Sequence, residues 1–244
     1  YLSSLKYYLN LLPLYMYFKD VISRIKSVYD ISLNNKNILI NKNILKFNNV
    51  TYKANHLKTI FQNFSLTIKS GNKVLVKGPN GSGKTTLLDI IYGCIEDYQG
   101  TVIRGKDISY VNQNSKLFSG TILENIILDQ KLDEKKLQKI IKIVLLDNFI
   151  KNISNGVETQ ITSLINISGG ESQKIILARG LYQHFDILLL DESLSEITIT
   201  DRKKIIQNIF KVFSDKTIII VNHNSDYITY DRIINLTAER RGIC

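Results

Sequence analysis

Nine residues, Gly78-Pro79-Asn80-Gly81-Ser82-Gly83-Lys84-Thr85-Thr86, constrain this chain more than any other stretch. Two glycines stand five apart, Lys-Thr follows the second, and the whole lies between the apolar runs Val74-Leu75-Val76 and Leu87-Leu88-Asp89-Ile90-Ile91. That reads as strand, glycine loop, helix, the context of a phosphate-binding P-loop. Glycines let the backbone turn tightly so that several N–H groups converge on one anion, and a helix beginning near Lys84 aims its positive end at the same point. Lys84 is then placed to reach the β- and γ-phosphates of a nucleotide, and the Thr85 hydroxyl to ligate Mg²⁺. A plain glycine turn would leave most of these positions without a physical reason.

At 244 residues and 44% hydrophobic, the chain can bury one good core with room for an appendage. Lys and Arg number 32 against 22 Asp and Glu, a net charge of +10. Lys, Asn and Ile are used heavily throughout, and no basic block with interleaved aromatics stands out, so no nucleic-acid partner is expected. Of the two cysteines, Cys94 follows the P-loop helix and Cys244 is the last residue. They make neither a disulfide framework nor a metal-ligand pattern, which suits a reducing cytoplasm. No signal peptide is legible, and an opening on Tyr1 rather than Met gives the expectation of a piece of a longer chain.

Residues 1–32 read as a helix, apolar from Leu9 to Phe18 and amphipathic through Val21, Ile22, Ile25, Val28 and Ile31. Only 12 uncharged residues, 7–18, separate Lys6 from Lys19, whereas a bilayer needs about 20. Tyr7, Tyr8, Tyr15 and Tyr17 suit a membrane interface, with Lys19, Arg24 and Lys26 on its cytoplasmic side. An ordinary amphipathic helix packed on the domain has the same pattern. Residues 33–43 are polar and Asn-rich, which predicts a linker. Alternating β-branched runs over 44–52 and 60–68 predict an antiparallel subsheet, and 73–77 the strand that feeds the P-loop. Short strands follow at 101–104 and 108–111. Helical spacing over 121–128 and 133–150 predicts a helical insert, about 114–182 with its flanks. A helix over 171–182, a buried strand over 187–190, a helix over 201–213 and a strand over 216–221 complete an alternating pattern. The fold class that follows is α/β, a mostly parallel sheet with helices on both faces. In such sheets ligands sit at the carboxyl ends of strands, where Gly78, Asp191 and His223 fall.

Asp191 ends a four-residue apolar strand in a chain that already holds a P-loop, so it is positioned to hold the Mg²⁺ whose other ligand is Thr85. Glu192, one residue on, can act as general base toward the water that attacks the γ-phosphate.

With these residues in view, 44–236 resembles the nucleotide-binding domain of ATP-binding cassette (ABC) transporters, a P-loop NTPase fold. Ile167-Ser168-Gly169-Gly170-Glu171 is similar to the signature motif that sets this family apart from other P-loop classes. The resemblance implies that Ser168, Gly169 and Gly170 close over the γ-phosphate held by a second such domain, so that two ATP molecules lie between two domains set head to tail, identical or not. It implies that Gln113 is the Q-loop residue that senses Mg²⁺ and the attacking water. It makes His223, after Val221-Asn222, the switch histidine on the γ-phosphate. Leu117-Phe118 followed by Gly120-Thr121-Ile122 and Asn125-Ile126 is similar to exporters, and residues 1–32 resemble the end of an exporter's last transmembrane helix. The domain is then expected at the cytoplasmic side of a cell membrane, with transmembrane domains in the same polypeptide. Glu171 in the signature resembles peptide, bacteriocin and lantibiotic exporters.

Three positions depart from the family pattern. Ala54 stands where exporters place an adenine-stacking aromatic, which leaves Tyr52 or His56 for that role, reached by a bulge or register shift. Thr198 replaces the usual Asp of the D-loop, and the stretch before the signature lacks the Gly-Glu pair that contacts membrane domains. The function implied is that of an ATP-hydrolysing domain powering export. The rivals are a nucleotide-gated subunit with impaired hydrolysis and a soluble ABC ATPase without a transport role.

Overall fold

The computed structural model describes residues 38–40, 44–54, 58–112, 114–161, 167–222 and 228–236. The expectations for residues 1–32, and for Gln113, His223 and His56, lie outside the described residues.

Five strands form an all-parallel sheet in the order β11-β4-β10-β9-β6, where β4 is Lys73–Lys77, β6 Ile108–Val111, β9 Ile187–Asp191, β10 Thr217–Val221 and β11 Arg232–Asn235. β9 and β10 are buried at every position, as strands covered on both faces must be. Their alternate residues enter two separate cores. Leu188, Leu190, Ile218 and Ile220 join the cluster under helices α5 (Gly169–Tyr182) and α6 (Ile199–Val212). Ile187, Leu189, Ile219 and Val221 join Leu87, Leu88, Ile90 and Ile91 of helix α1 (Lys84–Tyr92). The two-residue period of a strand thus sorts one apolar run onto both faces.

The second core is closed by another sheet, ordered β1-β5-β2-β3, with β1 at Ile38–Ile40, β2 at Ile44–Ala54, β3 at Lys58–Lys69 and β5 at Gln99–Arg104. β2 pairs antiparallel with β3, as the alternation predicts, and on its other side with β5. Phe47, Phe61 and Phe64 point from it into the core, with ring centroids 5.7 Å and 4.9 Å from that of Phe64. Truncating Phe64 to Ala would cost about 3–5 kcal/mol. β1 is a difference from the linker expectation: the apolar triple Ile38-Leu39-Ile40, inside an Asn-rich stretch, pairs in parallel with β5.

Among the described residues, the helical insert holds three short helices ahead of α5: α2 (Ile122–Ile127), α3 (Glu134–Ile143) and α4 (Asp147–Asn152). A reciprocal capping box starts α2: Thr121 Oγ1 accepts from the Glu124 N–H and Glu124 Oε2 accepts from the Thr121 N–H. The helical spacing over 133–150 does not make one helix. Leu145 turns into the left-handed region at φ 57°, ending α3 and turning the buried Leu146 inward. A strand pair, β7 (Gly120–Thr121) with β8 (Gln160–Ile161), closes the insert. Arg179 of α5 ties it down, donating to the Asn125 backbone oxygen at 2.7 Å, to Asn125 Oδ1 at 2.8 Å and to the Lys116 carbonyl at 3.0 Å.

Candidate nucleotide-binding site

The loop between β4 and α1 is built around two close approaches. A Cβ at Gly78 would stand 2.5 Å from Ser82 Oγ, so the loop can fold over Ser82 only if position 78 has no side chain. Gly83 caps α1 from the left-handed region at φ 96°, where an L side chain would be strained. Pro79 accepts from the Ser82 N–H at 3.1 Å, and Gly83 accepts the first bond of the helix from Leu87. Asn80 and Gly81 form the exposed crest.

Inside this loop lie groups that suit a phosphate chain. The Lys84 side chain is 7% exposed, and its ammonium donates back to the carbonyls of Gly78 at 3.0 Å and Pro79 at 3.3 Å. The Ser82 hydroxyl is buried without a hydrogen-bond partner among the described residues. A buried polar group in that state costs free energy unless something satisfies it. An anion in the loop would take hydrogen bonds from both. Thr85 and Thr86 follow in the first turn of α1.

Asp191, at the end of β9 and 2% exposed, receives the Thr85 hydroxyl at Oδ2, 2.8 Å away. The two residues are 106 apart in sequence and are joined because β4 and β9 flank β10 in parallel, which brings their carboxyl ends to the same edge of the sheet. Burial pushes the Asp191 carboxyl above its ordinary range, with the Thr85 hydrogen bond opposing and the Glu192 charge adding to the rise. A hydroxyl and a carboxylate, all oxygen, form the donor set a hard cation such as Mg²⁺ prefers. The residues present therefore fit that ion.

Glu192 takes φ 48°, in the left-handed region, and its N–H donates to the Val221 carbonyl. Such a conformation costs a glutamate about 1–3 kcal/mol and turns its side chain off the line of the strand. A cavity of about 260 Å³ opens there, lined by Glu192, Ser193, Ser195, Arg202 and Asn222 among others.

Ser168 stands elsewhere, as the cap of α5, accepting from the Glu171 N–H at 3.2 Å; Gly169 and Gly170 make the first turn behind it. Ser168 and Gly169 are exposed, and their helix end has backbone N–H groups directed outward. Gln173 clasps the D-loop, donating to Ser195 Oγ at 3.1 Å and accepting from the Glu196 N–H at 2.8 Å. A Cβ on Gly169 would lie 2.9 Å from the Glu196 carboxyl carbon, so this carboxylate rests over the start of the signature helix. Thr198 caps α6, accepting from the Asp201 N–H, so the replacement of the usual Asp keeps a capping side chain.

Tyr52 sits on β2, half-buried against the second core, where the pairing with β3 loses register on both sides. Sequence reasoning gave no role to Asp89 on α1 or Tyr110 on β6, although the Tyr110 hydroxyl lies 3.2 Å from Asp89 Oδ1 and 3.4 Å from Asp191 Oδ2.

Comparison with known proteins matches residues 61–195 to the family model "ABC transporter". The chain is 33% identical over 189 residues to the mesentericin-Y105 transport/processing ATP-binding protein MesD of Leuconostoc mesenteroides, covering 71% of this chain and 26% of that protein. It is 32% identical over 196 residues to ABC transporter C family member 8 of Dictyostelium discoideum, covering 78% and 12%. The chain thus spans well under a third of the length of these relatives. A solved bacterial Atm1-family ABC exporter with ATP bound shares the fold, with a TM-score of 0.74 at 24% identity over 83% of this chain and 38% of that one. P-loop, signature helix and family match agree, and this chain belongs to the ABC transporter family as its ATP-binding domain.

Proposed function

We propose that this chain is the ATP-hydrolysing domain of an exporter, working as a head-to-tail pair that closes on two ATP and reopens after hydrolysis. The pair is homo- or heterodimeric, and closure drives transmembrane domains reached through residues 1–32, at the cytoplasmic side of the membrane. The transport names of relatives such as MesD support export, and Glu171 in the signature favours a peptide cargo. The observation that carries the hydrolytic reading is the junction of Lys84, Thr85, Asp191 and Glu192 beyond the carboxyl ends of β4 and β9, on either side of β10.

Each residue has a defined task in this reading. The loop from Gly78 to Gly83 wraps the phosphates with backbone N–H groups, and Lys84 moves from its two carbonyls to the β- and γ-oxygens. Bound Mg²⁺ would offset the charge on those oxygens, with Thr85, Asp191 and Gln113 around it. Glu192 takes a proton from water as the water oxygen bonds the γ-phosphorus and the bond to the β–γ bridging oxygen breaks. His223 orients the γ-phosphate, and Ser168, Gly169 and Gly170 of one copy reach the phosphate on the P-loop of the other. Tyr52 supplies a face for adenine.

Glu192→Gln tests the assignment, because the amide keeps size and hydrogen bonding but cannot take the proton. ATP affinity should hold while turnover falls about 10²–10⁴-fold and an ATP-bound dimer accumulates on size exclusion. Hydrolysis at the parent rate would overturn the role given to Glu192.

A further inference from the structure

Asp191 is surrounded more tightly than its part in a metal site alone requires. Tyr110 enters from β6, the edge strand, where its backbone pairs with Leu189 of β9. Its ring packs on Tyr92 at the end of α1, with centroids 5.4 Å apart. The neighbours of Tyr110 face the opposite core and hold the strand there. Ser109 Oγ donates to the Gly180 carbonyl at 2.8 Å, and a Cβ at Gly180 would run into Val111 Cγ2. Strand and ring are thus fixed from both faces, and the phenol oxygen has little freedom.

That oxygen has one proton and two carboxylates within reach: Asp89 Oδ1 at 3.2 Å and Asp191 Oδ2 at 3.4 Å. Asp89 lies one helical turn beyond Thr85 on α1, so Thr85, Asp191, Tyr110 and Asp89 form a closed chain of polar contacts between α1, β9 and β6. Both hydroxyls approach the same oxygen of Asp191, which fixes the carboxylate plane and leaves Oδ1 unengaged by either. At 2% exposure, water could not easily replace a lost donor.

We infer that Tyr110 is a positioning residue for Asp191, its hydroxyl steadied by Asp89, and that it sets how tightly the site holds Mg²⁺. The inference rests on the reading of Thr85 and Asp191 as the Mg²⁺ pair. Hydrogen bonds to a ligating carboxylate orient it, and removing them typically costs about 10–100-fold in metal affinity or activity. The phenol remains a donor at working pH, since burial, and then the two carboxylates, push its ionisation well up.

The test is a Mg²⁺ titration of ATP binding, read by calorimetry in the full chain, for the parent, Tyr110→Phe and Asp191→Asn. Tyr110→Phe keeps the ring against Tyr92 and deletes only the hydroxyl. The Mg²⁺ needed for half-maximal enhancement of binding should rise about 10-fold or more, with ATP affinity in EDTA unchanged. A shift under about twofold overturns the inference, as does an equal loss with and without Mg²⁺, which would mean a structural role only. Asp191→Asn separates the layers. Untouched Mg²⁺ dependence there overturns the metal assignment and the inference with it, whereas a shift there without one in Tyr110→Phe overturns the inference alone.

Discussion

The P-loop face and the signature face are both helix N-termini preceded by glycine-rich or serine caps, yet they are finished differently. At the P-loop, Lys84 and Asp191 are buried, and the polar groups are bonded to one another: Lys84 to loop carbonyls, Thr85 to Asp191, Asp191 to Tyr110. At the signature, Ser168 and Gly169 are exposed, and the charge lying over the helix start is the chain's own Glu196. The first is a cradle complete within one chain. The second presents an anion-seeking end with only a side-chain substitute against it, which is the condition expected of a surface that works on another copy's ligand.

The largest effect is expected at Lys84. Lys84→Ala removes the P-loop's buried cation, and hydrolysis should fall at least about 10²-fold with weaker ATP binding by calorimetry in magnesium at fixed salt. Unchanged affinity would mean that this face is not the cradle described. A smaller effect is expected at the other face. Glu196→Ala uncovers the helix end, so the ATP-bound pair should form more readily, by about 2–5-fold in dimerisation constant, measured by sedimentation at low salt. If dimerisation weakens, Glu196 aids closure and does not compete with the phosphate.

The smallest effect sharpens what the cradle costs. Burial, ahead of the Tyr110 hydrogen bond that opposes it and the nearby Asp191 charge, raises the Asp89 carboxyl above its ordinary 3.8. The folded state therefore binds the proton more tightly than the unfolded one. Stability contributed through this group falls as pH rises from 3.8 to the raised value, and the penalty is complete above it. Asp89→Asn removes the penalty while keeping an acceptor for Tyr110. Melting temperature should rise by a few degrees at neutral pH, and the gain should vanish below pH 3.8. A gain independent of pH would assign the effect to packing.

The parts of the site that sequence makes legible are those set by local spacing. The P-loop, the Asp191-Glu192 pair after a buried run, and Ser168 ahead of a helix each carry their geometry within a few residues. The Tyr110 contact does not, because its partners lie 21 and 81 residues away and meet only when β6, α1 and β9 pack. The β1 strand escaped for the opposite reason: three apolar residues among asparagines are too short a signal, and their pairing partner comes some sixty residues later. Helical spacing over 133–150 likewise hid the break at Leu145, since Phe149 and Ile150 beyond it, half-buried, pack against the same core as Leu137, Ile140 and Ile141 before it.

Gly180 has a mechanical consequence. Helix α5 begins at the signature and, roughly 16 Å along its axis, meets β6 at Gly180 with no room for a methyl group between them. The Val111 and Ser109 side chains of β6 close directly on the Gly180 backbone, so a displacement of the Ser168 end is passed to β6 through two short side chains. β6 carries Tyr110 and runs on toward Asn112. The helix is thus a strut, and in a paired arrangement it would let the seating of one nucleotide be felt, through a single rigid member, at the carboxylate serving the other.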